Sequence, residues 1–398
     1  MALISADTID YLFSSTTTQS QAQLDSVAST ALGQGIDYYQ KGDYDRAINS
    51  FKRSTGLSPF SDNSAKAYDY MAKAYLALNK VDEAIKTYEE AIRIYPVRDE
   101  FHLALGDIYT KLDENDEALA EYKLAVKFYQ NSAQNRFSLG QSYLKAGQLS
   151  DAKEQLQAAA KMSPNSASGY YGLGQAARAT GDYQEAIVQL EKAISLDRDF
   201  DQSYLELGYT YADIGDVQKA TEQLSILSAK GSSLSTTLQN YMSQVAQPKI
   251  LFAVGQDGFA TFLGPQTSLN TMNDGLSEPD STKLFSMNVV FSKDMDVSSI
   301  QNPYNWSISR ASVEQNGVFY NGGLTVPNTE ANILPIPEYI TYNDKTNTAS
   351  VRFRISQNAE GNATLDPAHI VFKFYGTDTY GKAMDTSADE FSGFRGVA

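Results

Sequence analysis

The 398-residue chain contains no cysteine. That excludes disulfides, thiol catalysis and thiolate metal sites, and it is compatible with either redox compartment. Histidine occurs twice, at His102 and His369, so no second ring stands near either one to form a metal pair. No Walker-type glycine loop, no HExxH and no GxSxG with a partner histidine is present. No catalytic, cofactor-binding or metal-ligating residue is therefore assigned, and the chain is expected not to be an enzyme. No run of about eighteen apolar residues exists, so no membrane span is expected. Basic residues are in deficit, 32 against 48 acidic, for a net charge of −16. The deficit is shared: 22 basic against 32 acidic residues precede Pro248, and 10 against 16 follow from there. Both parts would repel a phosphate backbone or an anionic lipid surface, which disfavours nucleic-acid and membrane partners. The opening MALISADTIDYLFSS lacks a basic start, a sustained apolar middle and a small-residue cleavage site, so no conventional secretory signal is expected.

What the chain does have is enough apolar residues, 42% with 11% aromatic, to build cores for two domains or more. It also repeats itself. Ala47, Ala84, Ala118, Ala152, Ala186 and Ala220 sit in similar phrases, from GDYDRAINSF to GDVQKATEQL, separated by 37 and then four times by 34 residues. Twelve residues before each stands a small residue: Gly35, Ala72, Gly106, Gly140, Gly174 and Gly208. A tyrosine follows three later at Tyr38, Tyr75, Tyr109, Tyr143 and Tyr211, with Ala177 the exception. Such a period marks a helical array in which each unit buries its apolar face against its neighbours. Small residues let helices approach where they cross, and Gly42, Asn79, Gly147, Gly181 and Gly215 end the first helix of a unit. Pro59, Pro96 and Pro164 mark the end of the second.

These six phrases resemble the tetratricopeptide repeat family over about half the chain. The family's tryptophan near the start of the first helix is replaced by Ala31, Tyr68, His102, Arg136, Tyr170 and Tyr204, and three extra residues around Pro59 to Ser61 lengthen the first junction. The resemblance implies six helix-turn-helix units over 28–231 with an inner groove lined by one face of each first helix. Matching positions unit by unit gives Leu32 and Ile36, Asp69 and Lys73, Leu103 and Asp107, Phe137 and Gln141, Tyr171 and Gln175, and Leu205 and Tyr209. One subset of the family grips a terminal carboxylate with Lys and Asn at these places; here only Lys73 is basic, so that clamp is not expected. The positions Phe137, Gln141, Tyr171, Gln175, Leu205 and Tyr209 are aromatic and amide-rich, suited to a peptide with apolar anchors. The alternative is that Phe137, Tyr171 and Tyr209 only pack against a capping helix or the following domain.

Residues 1–27 form a leader in which Ile9, Tyr11 and Phe13 alternate with Thr8, Asp10 and Leu12. It reads as a flexible lead into the first helix, or as an apolar strand or helix that docks on a neighbouring molecule. After the array, Leu234, Leu238, Tyr241, Met242 and Val245 recur at helical spacing, which predicts a capping helix over 232–247. From Pro248 the helical period disappears. KILFAVG, GFATFL, LFSMNVVFS, NWSISR, SVRFRIS and HIVFKFYG are short and β-branched or aromatic, and turn clusters separate them, predicting an antiparallel β-sandwich over 248–398. In VRFRIS, Val351, Phe353 and Ile355 alternate with Arg352, Arg354 and Ser356, one face buried and one wet.

Two stretches of this region are similar to SbsA-type immunoglobulin-like domains of bacterial surface proteins. FSKDMDVSSIQNPYNWSIS carries Ser292, Met295, Asp296, Ile300, Asn305 and Trp306, and VFKFYGTDTYGKAMD carries Asp378, Gly381 and Met384. The resemblance implies a structural or adhesive module of secreted and surface proteins. Acidic turns at Asp257, at Asp294 with Asp296, and at Asp378 with Asp385 offer two or three carboxylates each at most, against the about six to eight oxygens calcium takes, and read first as turn formers.

The fold expected is thus an all-α tetratricopeptide solenoid followed by an all-β immunoglobulin-like sandwich. The function expected is a non-enzymatic scaffold that binds a protein or peptide partner at a bacterial surface or outside the cell. A rival is a self-assembling subunit of an extracellular filament or surface layer, using Ile9, Tyr11 and Phe13 and free sheet edges. A third reading is a cytoplasmic assembly factor.

Overall fold

The computed structural model describes residues 6–312 and 319–392, with side chains from residue 20 onward. By contacts these divide into two units, residues 1–210 with 219–235, and residues 211–218 with 236–398.

Helices come in pairs: α1 (Ala6–Gln40) with α2 (Tyr44–Leu57), α3 (Asp62–Ala77) with α4 (Val81–Ile94), α5 (Asp99–Lys111) with α6 (Asn115–Phe128), and α7 (Ala133–Lys145) with α8 (Leu149–Met162). Two more pairs follow, α9 (Ala167–Ala179) with α10 (Tyr183–Leu196) and α11 (Asp201–Asp213) with α12 (Val217–Ala229), and then α13 (Leu234–Val245). From the first described residue, Ala6, the chain already belongs to the helix that opens the first pair, so the segment expected as a separate leader runs into it without a break.

Each hairpin turns through one left-handed residue: Gly42, Asn79, Asp113, Gly147, Gly181 and Gly215 all have φ between 59 and 79°. The third unit's turn residue, Asp113, carries no glycine signal, but a short polar side chain tolerates this conformation. The next residue's N–H then donates back to the slot that is usually tyrosine, as in Lys80 to Tyr75 and Gln148 to Tyr143, both at 2.9 Å.

The ladder of small residues has a specific cause. A Cβ on Gly35 would lie 2.4 Å from Phe51, on Gly106 2.7 Å from Tyr122, on Gly140 2.6 Å from Leu156 and on Gly174 2.5 Å from Leu190. Those four side chains stand four residues after the repeated alanines, so the large residue of the second helix fills the space a side chain on the first would occupy. The alanines themselves, Ala47, Ala84, Ala118, Ala152, Ala186 and Ala220, are fully buried or nearly so. Where the family carries tryptophan, Tyr68 donates to Glu90 at 3.1 Å, His102 Nδ1 meets Glu121 at 2.6 Å and Arg136 reaches Gln155 at 2.8 Å. A polar tip on the first helix thus grips the second in three consecutive units.

The other unit contains two main antiparallel sheets. Its strands are β1 (Ile250–Gln256), β2 (Thr267–Ser268), β3 (Thr282–Phe291), β4 (Trp306–Arg310), β5 (Asn332–Ile333), β6 (Tyr339–Asn343), β7 (Thr348–Ser356), β8 (Thr364–Leu365), β9 (Ile370–Phe374) and β10 (Glu390–Ser392). The larger sheet runs β1-β3-β7-β5 with β6 also on β7; the smaller runs β10-β9-β4; β2 and β8 pair separately. Phe353 of β7 packs on Phe372 of β9 at 5.1 Å, and Phe291 of β3 on Phe374 of β9 at 5.5 Å, so the two sheets share one core. In β7 the alternation read from sequence holds, with Val351, Phe353 and Ile355 buried.

The GFATFL segment, expected as a strand, is not one. Asp257 and Gly258 both take positive φ, the chain doubles back, and a Cβ on Gly255 would lie 2.1 Å from the Phe259 carbonyl. Phe259 is thereby driven between the sheets as a plug while Phe262 is left 82% exposed. The two stretches similar to surface-protein modules meet: Met295 bridges to Asp378, and Trp306 Nε1 donates to the Ile300 carbonyl at 2.8 Å. Met295, Ile300, Trp306, Asp378 and Met384 are all buried. Within this unit α13 is held at its C-terminal end by Lys293, whose Nζ donates to the Ala246 carbonyl at 2.9 Å and pairs with buried Asp378 at 2.6 Å. A cation at the free carbonyls of a helix end is favourable in its own right.

Candidate functional site

The first helices of the array carry two parallel rows at the repeat spacing. One is Leu103, Phe137, Tyr171 and Leu205; the other is Asp107, Gln141, Gln175 and Tyr209. Because the two rows are four residues apart on each helix, they share a face.

Of the six positions expected to line the groove, Gln141, Tyr171 and Gln175 are wired to one another. Gln141 Nε2 donates to Gln175 Oε1 at 2.9 Å across the junction between units. Gln175 Nε2 donates in turn to the Tyr171 hydroxyl at 2.9 Å and to Glu206 Oε1 at 3.1 Å. Arg178 closes the chain by pairing with Glu206 at 3.3 Å while its guanidinium lies 4.9 Å from the centre of the Tyr209 ring. Phe137 is half-buried against the Ala152, Leu156 and Ala176 cluster, and Leu205 is half-buried as well.

Tyr171 also packs on Phe200, ring centres 4.9 Å apart. Burial first, and then the Glu206 charge, hold its phenol well above the ordinary tyrosine range. Burial and Glu206 push Tyr209 in the same direction, opposed by Arg178. Both phenols are therefore neutral at physiological pH. Neither residue contacts only solvent: Tyr171 is as much a spacer between units five and six as a surface.

Sequence reasoning missed Glu206 and Arg178. Their register partners are small or apolar, Gly172 and Ser138 for the first and Leu144 and Ala212 for the second, so the one available signal was a charged residue breaking the repeat pattern.

Toward units two and three the same face opens into a cleft of about 340 Å³ floored by Phe101, Leu103 and Ala104. Lys73 is held there by Asp69 at 2.7 Å and Arg98 by Glu100 at 3.0 Å. Asp107 Oδ1 accepts from the Tyr122 hydroxyl at 2.7 Å.

The remaining candidates lie elsewhere. Ile9, Tyr11 and Phe13 fall on the first helix, but their side chains lie outside the described residues. His102 is buried, with Nδ1 on Glu121 and its ring stacked on Phe128 at 5.3 Å. His369 is buried with Nδ1 on Asp366 at 2.7 Å. The acidic turns are engaged by protein donors: Asp378 Oδ1 accepts from the Tyr380 and Lys382 amides, Asp296 from the Ser299 amide, and Asp257 from Ser286 and Arg352.

Two family models, both described as the tetratricopeptide repeat, match the chain, one over residues 71–133 and 137–199 and one over 26–96. Among solved structures, a tetratricopeptide repeat protein from Parabacteroides merdae is similar with a TM-score of 0.49 at 16% identity, covering 55% of this chain and 86% of that one. PilW, a type IV pilus biogenesis factor, is similar with a TM-score of 0.47 at 20% identity over 54% of this chain and 98% of its own. Pseudomonas aeruginosa pilF gives 0.46 at 17% identity over 55% and 99%. No curated protein matches. The helical region is a tetratricopeptide repeat array, and an antiparallel β-rich region follows it.

Proposed function

We propose that this chain is a non-enzymatic interaction protein whose repeat array holds a peptide segment of a protein partner on the two-row face of α5, α7, α9 and α11. The observation that carries this reading is the ladder from Gln141 through Gln175 to Glu206 and Arg178, which fixes the polar row in place. Half-buried Phe137 and Leu205 stand in the row beside it. A prearranged surface loses little side-chain entropy when it binds.

The β-region is, on this reading, an immunoglobulin-like module of the SbsA type that places the array at a bacterial surface or outside the cell. The meeting of Met295 with Asp378, between the two stretches that carry the resemblance, supports it. Fractionation of the source cells tests the location; recovery of the chain with the cytoplasm would favour an internal assembly factor instead.

A second reading, self-assembly into a filament or layer, draws support from β6, which pairs with β7 alone among the described residues. It is also supported by Leu251, Phe252 and Val254 of β1, which remain 43 to 47% exposed.

The test of the leading reading is to select peptides of about twelve residues from a random library on the immobilised full chain and measure their affinities. Phe137→Ala and Tyr209→Ala are each expected to weaken the selected peptides by about 1 kcal/mol or more. Unchanged affinity in both would move the binding site off this face, and polymers visible by light scattering of the pure chain would favour self-assembly.

A further inference from the structure

Resting on the groove reading, we infer that the middle of the face, at units three and four, selects a basic side chain in the bound peptide. The direction of the amide ladder decides this. A carboxylate only accepts hydrogen bonds, so Glu206 obliges Gln175 to present its nitrogen, which leaves Gln175 Oε1 facing back along the row. Gln141 must meet that oxygen with its own nitrogen, as it does at 2.9 Å. The consequence is that the ladder ends, at Gln141 Oε1, on an acceptor whose neighbours along the chain are all polarised toward the Glu206 charge.

One unit earlier in the same row stands Asp107, which is exposed and whose Oδ1 accepts from a single hydroxyl, that of Tyr122. No donor reaches Asp107 Oδ2 among the described residues; of the three cations that line the adjoining cleft, Lys73 is held by Asp69 and Arg98 by Glu100, while Lys66 is exposed on α3. Units three and four thus offer two acceptors in sequence, a carboxylate and an amide oxygen. Leu103 and Phe137 lie beside them for the aliphatic stem of a lysine or arginine. The charge of the residues before Pro248, 22 basic against 32 acidic, attracts a cationic segment from a distance. This polarity is the reverse of a site that grips a terminal carboxylate.

The experiment uses the full chain and the library peptides described above, synthesised with lysine, norleucine or glutamate at the most enriched position. Lysine or arginine is expected there, binding about tenfold tighter than norleucine at low salt, and Asp107→Asn is expected to bring the lysine and norleucine peptides to nearly equal affinity. Circular dichroism confirms that the variant is folded. If peptides bind, and Phe137→Ala weakens them, but charge makes no difference or glutamate is preferred, the inference fails and the groove reading stands. A lysine preference that survives Asp107→Asn also overturns it. If the chain retains no peptide, the groove reading itself falls and this inference with it.

Discussion

The repeat array and the β-sandwich solve the same packing problem at different ranges. In the array the buried side chains fall into successive clusters of neighbouring helices: one runs from Leu32 to Ile108 through the first five helices, and smaller ones follow, such as Ala118, Leu119, Tyr122 and Leu139, or Ala152, Leu156 and Ala176. In the sandwich a single core gathers residues from Ile250 to Met384, with Phe259, Phe285, Phe291, Trp306, Phe353, Phe372 and Phe374 at its centre. A nearest-neighbour core leaves one face of every helix available for something else, and that face is where the two rows lie. A closed core spends its aromatic residues inside and presents binding groups only at edges and loops.

The comparison can be broken in three ways. Phe353→Ala removes a ring that touches Phe259, Phe285 and Phe372, and is expected to cost the sandwich about 3–5 kcal/mol. Trp306 is the chain's single tryptophan, so its fluorescence reports this unit, while ellipticity at 222 nm reports the helices. A large shift in the fluorescence midpoint with little change in the helical one is the expected outcome; equal shifts would mean the two cores unfold together.

Gly174→Ala acts on the other side. In an ordinary helix this change stabilises by roughly 0.5–1 kcal/mol. Here the new Cβ would lie 2.5 Å from Leu190, so a loss of about 1–3 kcal/mol is expected instead. Hydrogen exchange should rise first in α9 and α10, and uniform loosening of all the helix pairs would contradict a core of successive clusters.

The smallest effect is in acid, and its sign differs between the regions. Asp201 in the array is held below the usual carboxylate range by Lys230 and the Ser232 hydroxyl. Its stabilisation is complete above the unfolded value near 3.8 and is lost as pH falls through the lower folded value. Glu330 in the sandwich is pushed up by burial, so it takes a proton in the fold before it would in the unfolded chain. Its cost is therefore relieved as pH drops through the raised value. As the pH is lowered from neutral toward the unfolded value of 4.5, the fluorescence midpoint in urea should rise slightly while the helical one holds; a fall in the fluorescence midpoint on that approach would refute the assignment.

The helical pairs, their turns, the small-residue slot and the two rows of the face were legible because a 34-residue register repeats every local signal several times. Asp113 shows the limit: its turn was visible only through its position in the register. The sandwich had no such redundancy. β1, β3, β4, β7 and β9 could be read from their β-branched and aromatic runs, whereas GFATFL had a strand's composition and became a turn with a plug. The β6 strand, Tyr339–Asn343, is not among the strands expected from composition; it leads straight into a turn.

Periodicity alone therefore determined which residues share a helix face, since a fixed spacing places them there whatever their neighbours are. Only the folded chain decided what those residues do to one another. The order of donors and acceptors from Arg178 through Glu206 to Gln141 depends on side chains from three units meeting within hydrogen-bond reach, and hydrogen bonds, unlike spacing, are made by atoms at a distance and in a direction that no single repeat contains.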